Sequence, residues 1–405
     1  MTRTPSHKWV FAARFRRGTF GWKSALPIQR LKEAQAEIRQ IARADPVLAA
    51  DGAVALLEKL SPALEHVDSS SGAMGTAVNR AIDTLVPVIA GVDVSAPVRT
   101  RWLERLFDAL QDDQMPYIEQ LGDRWGDLCA SPAIASAWAD RLLPFIVQVM
   151  GAEGSGGHFA GTTACLSALN AAGRHEELLV LVNGARLNWW GYRQYGVDAL
   201  IALGRSAEAL RYAEASRGLN APAAAIARKG EAILLLSGMM DEAYRRYAIE
   251  ANQGATHLAT FRAIAKKYPD RSPDSILRDL VTSSPGAEGK WFAAAKDAGL
   301  LDLAASLAMR GPTDPRTLTR AARDFAQRKP EFAVACGTAA LHWMAAGFGY
   351  EITGSDVLDA YGALADAALA TGMERDQLNR RLRDQFAATP GHSFVATVLA
   401  HHWAA

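Results

Sequence analysis

The sequence has few cysteines, no long apolar run and no recognisable leader. Its three cysteines are odd in number and widely separated among 405 residues, so a disulfide framework is not expected and a reducing compartment fits. No apolar run approaches the roughly 18–20 residues that a bilayer span needs, and the N-terminus lacks the pattern of a secretory signal. These absences predict a cytoplasmic protein without a membrane segment.

The patterns of known catalytic and metal sites are also missing. Among nine histidines, one pair is adjacent, His401 and His402, and neither His-Glu-x-x-His nor Cys-x-x-Cys occurs. No Ser or Cys stands in a pattern that would supply a nucleophile with a base and an orienting group. We therefore expect a non-enzymatic protein with no cofactor and no metal.

Basic residues are concentrated at the N-terminus. Residues 1–32 contain eight Lys and Arg and no Asp or Glu, whereas the whole chain has a net charge of +1, so the remainder is net acidic. Five large aromatic residues are interleaved with these cations. Cations neutralise phosphates and exposed rings stack on bases, which makes this segment a candidate nucleic-acid arm. Its candidate contact residues are Lys8, Trp9, Arg14, Arg16, Arg17, Trp22 and Lys23.

Other roles fit the same segment. Its aromatic side chains can pack on the first helices while the arginines extend into solvent. The segment can also bind a partner protein, or lie on the acidic body of its own chain as an intramolecular latch. The sequence leaves these alternatives open.

A helix–turn–helix unit recurs between residues 156 and 311. Its turns read AGRHEELL, LGRSAEAL, SGMMDEAY and AGLLDLAA, with glycines at positions 173, 204, 238 and 299. The intervals are 31, 34 and 61 residues, and the longest fits two units with a turn at residues 267–270. Glycine adopts positive φ at a helix C-terminus without a steric penalty. A period near 31–34 predicts a solenoid of helical hairpins.

The predicted hairpins have clear bounds. The expected helix pairs are 159–172 with 176–182, 192–203 with 207–216, 223–236 with 241–251, 257–267 with 275–282, 291–298 with 301–309 and 316–327 with 332–345. Within them, the second helix twice carries the pattern Ala/Asp-Glu-Ala, at residues 207–209 and 241–243.

This pattern resembles the tetratricopeptide-repeat (TPR) superfamily over roughly residues 159–345. The whole chain also resembles uncharacterised bacterial all-helical proteins, a resemblance that implies no activity. The TPR resemblance implies an all-α fold in which antiparallel helix pairs form a right-handed superhelix, an α-solenoid of TPR or HEAT type.

Four segments are expected along the chain. They are a basic aromatic arm at 1–27, an irregular HEAT-like helical half at 28–150, TPR-like repeats at 158–345 and a charged C-terminal helical cap at 351–405. The glycine-rich stretch 151–157 is the predicted boundary between the two halves. It lacks the Lys and the preceding strand of a phosphate-binding loop, and is therefore expected to be a linker.

Four aromatic residues lie within the seven-residue stretch 189–195. In TPR-like folds the first helix of each pair lines a concave groove, so the resemblance places this cluster near cations of later repeats. The candidate groove residues are Trp189, Trp190, Tyr192, Arg193, Arg228, Lys229, Arg262, Lys266 and Lys267. Such a stripe suits an acidic peptide, a terminal carboxylate or single-stranded nucleic acid. Alternatively, Trp189 and Tyr195 pack between repeats and the cations are solvated.

Two functions follow from these patterns. The first is a protein-interaction scaffold that binds a peptide or partner protein in the groove. The second is nucleic-acid binding through the basic arm and a basic groove.

Overall fold

The computed structural model describes residues 7–151, 159–186, 188–218, 221–387 and 393–403. Within these ranges the chain forms 23 α-helices and one 3₁₀ helix, and no strand. The all-α prediction is therefore confirmed. Residues 152–157 of the predicted linker lie outside the described residues. The chain divides into two compact units, residues 1–233 and 234–405.

The first unit contains thirteen helices among its described residues, the last of which extends three residues beyond it. They are α1 (Val10–Arg14), α2 (Ala25–Ala42), α3 (Pro46–Leu64), α4 (Ala73–Ala90), α5 (Ala96–Gln111), α6 (Gln120–Asp123), α7 (Trp125–Cys129), α8 (Pro132–Met150), α9 (Thr162–Ala171), α10 (His175–Asn183), α11 (Trp190–Ala202), α12 (Ser206–Glu214) and α13 (Ala223–Leu236). One continuous apolar core extends from Phe11 to Ile233 and includes residues on both sides of the predicted linker.

The second unit is built from ten further α-helices and the 3₁₀ helix Glu288–Trp291 in the part of the chain that is described. They are α14 (Met240–Ala251), α15 (His257–Lys267), α16 (Pro273–Thr282), α17 (Phe292–Asp297), α18 (Leu301–Arg310), α19 (Pro315–Phe325), α20 (Pro330–Ala345), α21 (Gly354–Ala370), α22 (Arg375–Ala387) and α23 (Ser393–Trp403). The helices within the predicted hairpins agree with the expected ones to within a few residues.

Polar caps start many of these helices. Asp45, Ser131, Ser272 and Asp314 each stand directly before a proline at the first helical position, and each side chain accepts a hydrogen bond from a backbone N–H in the first turn. This arrangement satisfies an otherwise unpaired donor while proline presets φ. Thr353 and Asp356 form a reciprocal capping box at the start of α21.

The repeated glycines end the first helix of each hairpin, as predicted. Gly173, Gly204, Gly238 and Gly299 all have φ between +73° and +76°. In each case the next residue donates its N–H to the carbonyl five residues earlier, as in Arg174 to Leu169 at 3.0 Å. This is the Schellman arrangement. The turn at residues 267–270 also follows the first helix of a hairpin, but it contains no glycine.

An arginine in three of these turns reaches back about thirty residues to an earlier helix. The pairs are Arg174 with Asp140 (2.6 Å), Arg205 with Glu176 (3.2 Å) and Arg271 with Asp241 (2.9 Å). The contact recurs with the period of the hairpins at these three turns, two in the first unit and one in the second.

The irregular first half contains two short helices, α6 and α7. Gly122 explains the close packing of α6, because a Cβ there would lie 2.1 Å from Thr163 Oγ1 on α9. The side chain of Trp125 fills the core beside Phe107 and Trp138, with ring centroids 5.1–5.8 Å apart.

Among the described residues, one helix is long and apolar enough to cross a membrane by composition. It is α8, with a mean hydropathy of 1.2, and a third of it is buried inside the protein. Trp138, Leu142 and Ile146 on α8 belong to the core of the first unit.

Candidate functional site

The N-terminal segment docks on α2 and α3. Phe11, Phe15 and Phe20 are 1–4% exposed and belong to the core. The Trp9 ring packs against Gly52 so closely that a Cβ added at Gly52 would lie 2.2 Å from a ring carbon. Two backbone N–H groups of this segment, those of Val10 and Phe11, donate to the Glu37 carboxylate. Residues 7–24 are therefore an integral part of the first unit.

The cations of this segment divide into two groups. Arg14 pairs with Glu33 at 2.6 Å, and Arg17 lies 3.6 Å from Glu65. Lys8, Arg16 and Lys23 are exposed. Trp22 is 71% exposed. Of the seven predicted arm residues, these last four present charge or an aromatic face to solvent, whereas Trp9 is half-buried.

The Trp189–Tyr195 cluster divides in a similar way at the start of α11. Trp190 and Tyr195 are each 6% exposed and pack in the core, so the assignment of Trp190 to a binding groove is corrected. Trp189, the residue before the helix, remains 51% exposed. Its ring meets Tyr192 edge to face at 4.8 Å. A Cβ at Gly191 would lie 2.7 Å from the Trp189 ring, so this glycine allows the ring to fold over the helix start.

Several predicted groove cations serve packing within a unit. Arg193 stacks on the Tyr212 ring at 3.8 Å and donates to Ser216 Oγ at 2.7 Å. Lys229 forms an ion pair with Asp198 on α11. These contacts hold neighbouring helices together, so neither side chain is an unengaged cation as the sequence suggested.

The remaining predicted groove cations have different surroundings. Arg262 donates twice to Asp297 on α17, at 3.0 and 2.6 Å. Arg228, Lys266 and Lys267 are exposed. Arg262 thus links two first helices of successive hairpins in the second unit.

The exposed Trp189 ring lies at a cleft of about 650 Å³ in the first unit, which we call the Trp189 cleft. Four helices and the chain before α6 contribute to it. Its lining residues are Thr76, Asn79, Arg80, Asp83, Pro116, Glu119, Gln120, Asp123, Thr163, Trp189, Gly191 and Gln194. Three are carboxylates and one is a cation. The cleft is therefore net acidic, opposite to the basic groove predicted for Trp189.

The three carboxylates have different partners. Asp83 accepts hydrogen bonds from Gln120 at 3.0 Å and from Arg124 at 3.2 Å. Asp123 accepts one from the Tyr195 hydroxyl at 2.6 Å. Glu119 is exposed and forms no ion pair with the described residues. It is the carboxylate with the most freedom to meet a ligand.

Burial raises the pKa of three residues at or near the cleft, Asp123, Tyr195 and Tyr192. Desolvation raises the pKa of Asp123 above its ordinary value, although the hydrogen bond from Tyr195 partly offsets this effect. Burial, together with the Asp123 carboxylate, raises the pKa of the Tyr195 phenol well above its usual range. Burial also raises the pKa of Tyr192, and the nearby charge of Glu119 adds to the rise.

The described part of the chain offers neither a metal-binding group of side chains nor an ionised thiol. No three His, Cys, Asp or Glu side chains among the described residues are arranged to hold a metal ion. All three cysteines are buried, and burial raises the pKa of each to about 12. At neutral pH they are thiols rather than thiolates.

Comparison of the chain with protein-family models, curated proteins and solved structures found no match. The site is therefore characterised by its own geometry.

The acidic residues of the cleft were missed from the sequence. Asp83 lies on α4 and Glu119 precedes α6, about 70 to 105 residues before Trp189 in the chain. The four-residue spacing of Glu119 and Asp123 is the only local signal. No spacing in the sequence relates these carboxylates to the tryptophan.

Proposed function

We propose that this chain is a non-enzymatic interaction scaffold that binds a basic segment of a partner protein in the Trp189 cleft. In this proposal the helix pairs form a TPR-like α-solenoid with a right-handed superhelical course, and the protein acts in the cytoplasm. The observation that carries the proposal is the exposed ring of Trp189 beside Asp83, Glu119 and Asp123.

Aromatic faces and carboxylates both favour cations. An ammonium or guanidinium over a tryptophan face gains roughly 0.5–2 kcal/mol, and more as the site is desolvated. Carboxylates add charge-assisted hydrogen bonds. A Lys or Arg side chain of a partner can use both by lying along the Trp189 ring with its head near Glu119. An acidic peptide, which the sequence favoured, would face net repulsion here.

The proposal also explains why one tryptophan of the pair is exposed. Trp190 fills the core, whereas Trp189 is held outside by the close approach to Gly191 and by the edge contact with Tyr192. A positioned, rigid aromatic side chain is a common anchor in protein interfaces. The surrounding amides of Asn79 and Gln194 supply polar contacts at its rim.

Fluorescence anisotropy with labelled hexalysine, and with hexaglutamate as counter-probe, tests this proposal. We expect the full chain to bind hexalysine and not hexaglutamate at low salt. Trp189→Ala and Glu119→Gln should each weaken hexalysine binding by about ten-fold or more, since each removes a contact worth roughly 1–2 kcal/mol.

Trp22→Ala is the matched control, because it removes another exposed tryptophan from the same unit. It should leave hexalysine affinity unchanged. Preference for hexaglutamate, or equal loss in Trp22→Ala and Trp189→Ala, would rule out the proposed site.

A second candidate function is nucleic-acid binding by the N-terminal segment. It is supported by the exposed Trp22 next to Lys23, with Lys8 and Arg16 also exposed in the same segment. An aromatic face beside cations suits a single-stranded nucleic acid.

This alternative is tested without deleting the segment, because deletion would remove Phe11, Phe15 and Phe20 from the core. In a salt series with labelled oligothymidine, the triple variant Lys8→Gln, Arg16→Gln, Lys23→Gln should reduce the slope of log K against log[salt] by about 2. An unchanged slope, or no binding by the unmodified chain at low salt, would exclude this function.

A further inference from the structure

A second cleft adjoins the Trp189 cleft along α4. It has a volume of about 520 Å³ and lies between α2 and α4. Its lining residues are Ile28, Leu31, Lys32, Gln35, Ser71, Gly72, Ala73, Thr76, Ala77, Arg80 and Thr84. Two are cations and none is acidic. We call it the Lys32–Arg80 cleft.

Neither Lys32 nor Arg80 forms an ion pair with the described residues, whereas neighbouring arginines do. On the same helix as Lys32, Arg30 forms an ion pair with Glu33 at 2.7 Å. Glu33 also forms an ion pair with Arg14. Near Arg80, the Asp83 carboxylate is already engaged by Arg124 and Gln120. Glu33 and Asp83 therefore have other partners. Arg80 also lines the Trp189 cleft together with the exposed Glu119.

The two clefts share a wall. Thr76 and Arg80 line both of them. An acidic cleft with an aromatic ring therefore stands beside a cationic cleft across one turn of α4. A single segment that crosses α4 at this point would meet carboxylates on one side and cations on the other.

We propose that the Lys32–Arg80 cleft binds a phosphoryl group carried by the same partner segment whose basic residues occupy the Trp189 cleft; this inference rests on the proposed function. A phosphorylated side chain carries nearly two negative charges at neutral pH, which matches the two cations. The hydroxyls of Ser71 and Thr76 line the same cleft and add neutral donors. The partner is thus a basic segment that contains a phosphorylated residue.

The first experiment measures the anion site alone. Equilibrium dialysis of the full chain against radiolabelled inorganic phosphate, at constant ionic strength, should show saturable uptake of about one phosphate. The double variant Lys32→Gln, Arg80→Gln should lose at least ten-fold in affinity, because each cation supplies charge-assisted hydrogen bonds. Arg101→Gln, which removes an exposed cation elsewhere on the same unit, should not. No saturable uptake, or equal uptake by the double variant, overturns the proposal.

The second experiment separates phosphate from other anions and links the two clefts. Competition with acetate should be at least ten-fold weaker than with phosphate. A labelled peptide with lysines flanking one phosphoserine should bind at least ten-fold tighter than its serine counterpart, and Lys32→Gln, Arg80→Gln should abolish that difference. Equal affinity of the two peptides, despite uptake of inorganic phosphate, would show that the cleft takes free phosphate and would overturn the link to a partner segment.

The outcomes distinguish this inference from the proposed function. If hexalysine fails to bind while phosphate uptake depends on Lys32 and Arg80, the proposed function fails and the anion site stands without its peptide. If hexalysine binding depends on Trp189 but phosphate uptake does not depend on the two cations, the proposed function stands and this inference fails. Circular dichroism of each variant checks that it is folded.

Discussion

Two stretches of this chain combine aromatic and basic residues but meet different surroundings. The N-terminal segment has two tryptophans among several cations, and the Trp189–Tyr195 cluster has two tryptophans and one arginine. In each, some aromatic rings enter the core and one tryptophan remains exposed, Trp22 at 71% and Trp189 at 51%. Trp22 stands beside Lys23, whereas Trp189 faces carboxylates from other helices.

The difference shows that an aromatic-plus-basic composition does not determine the ligand. The charge around an exposed ring depends on which distant helices pack next to it. At Trp189, the neighbouring cation Arg193 is turned away to stack on Tyr212, and the acidic residues of α4 and α6 take its place. The same local pattern thus supports opposite partner charges in the two stretches.

The largest effect is expected from truncating the buried Trp190, in comparison with the exposed Trp189 beside it. Trp190→Ala should lower the free energy of unfolding by about 3–5 kcal/mol, because it empties a buried site in the core. Trp189→Ala should change it by less than about 0.5 kcal/mol. Urea unfolding followed by circular dichroism measures both. Similar losses in the two variants would contradict the division of the cluster into core and surface.

The N-terminal segment should show the same division. Phe15→Ala should destabilise the protein by about 3–5 kcal/mol, since its ring is 1% exposed and touches Phe20. Trp22→Ala should be nearly neutral. Thermal unfolding with both variants in parallel makes the comparison. If Phe15→Ala were neutral, the segment would be a detachable arm, as the nucleic-acid interpretation first supposed.

A smaller effect is expected from removing the hydrogen bond that Tyr195 donates to Asp123 at the Trp189 cleft. Tyr195→Phe removes the donor to Asp123, and a hydrogen bond to a charged group contributes about 1.5–3 kcal/mol. The pKa of Asp123 should then rise further, because the lost bond favoured the carboxylate.

The direction of the pKa shift of Asp123 predicts how the destabilisation by Tyr195→Phe changes with pH. In the folded protein the pKa of Asp123 is raised above its unfolded value, so its contribution reduces stability as the pH rises through the folded pKa. Tyr195→Phe should increase that reduction. The destabilisation by Tyr195→Phe should therefore be larger at about pH 7 than at about pH 4. Urea unfolding at the two pH values checks this, and an equal loss at both would contradict it.

The smallest effect concerns the arginines that link successive hairpins. Arg174→Gln should destabilise the first unit by about 0.5–1 kcal/mol, because the ion pairs with Asp140 and Glu177 lie near the surface. The effect should shrink in high salt. Thermal unfolding at low and high salt measures it. Arg211→Gln, an exposed cation on α12, is the matched control and should be neutral.

The local parts of the fold were predictable from the sequence. The turn glycines and the helices on either side of them follow from backbone preferences within a few residues. The close approach of Gly122 to Thr163 on α9 could not be predicted, because it depends on the packing of distant segments. The site was predicted only in part: Trp189 was identified, but its charged neighbours were given the wrong sign.

The helices of the predicted hairpins and their glycine turns could be located from the amino-acid sequence, because they depend on φ preferences and on contacts between near neighbours. The sequence also limited the candidate rings to a few aromatic residues. Which of those rings are buried, and which charges surround the exposed ones, became apparent from the packing of the helices. The reason is that Asp83, Glu119 and Trp189 meet through the packing of helices far apart in the chain, and no local preference specifies that contact.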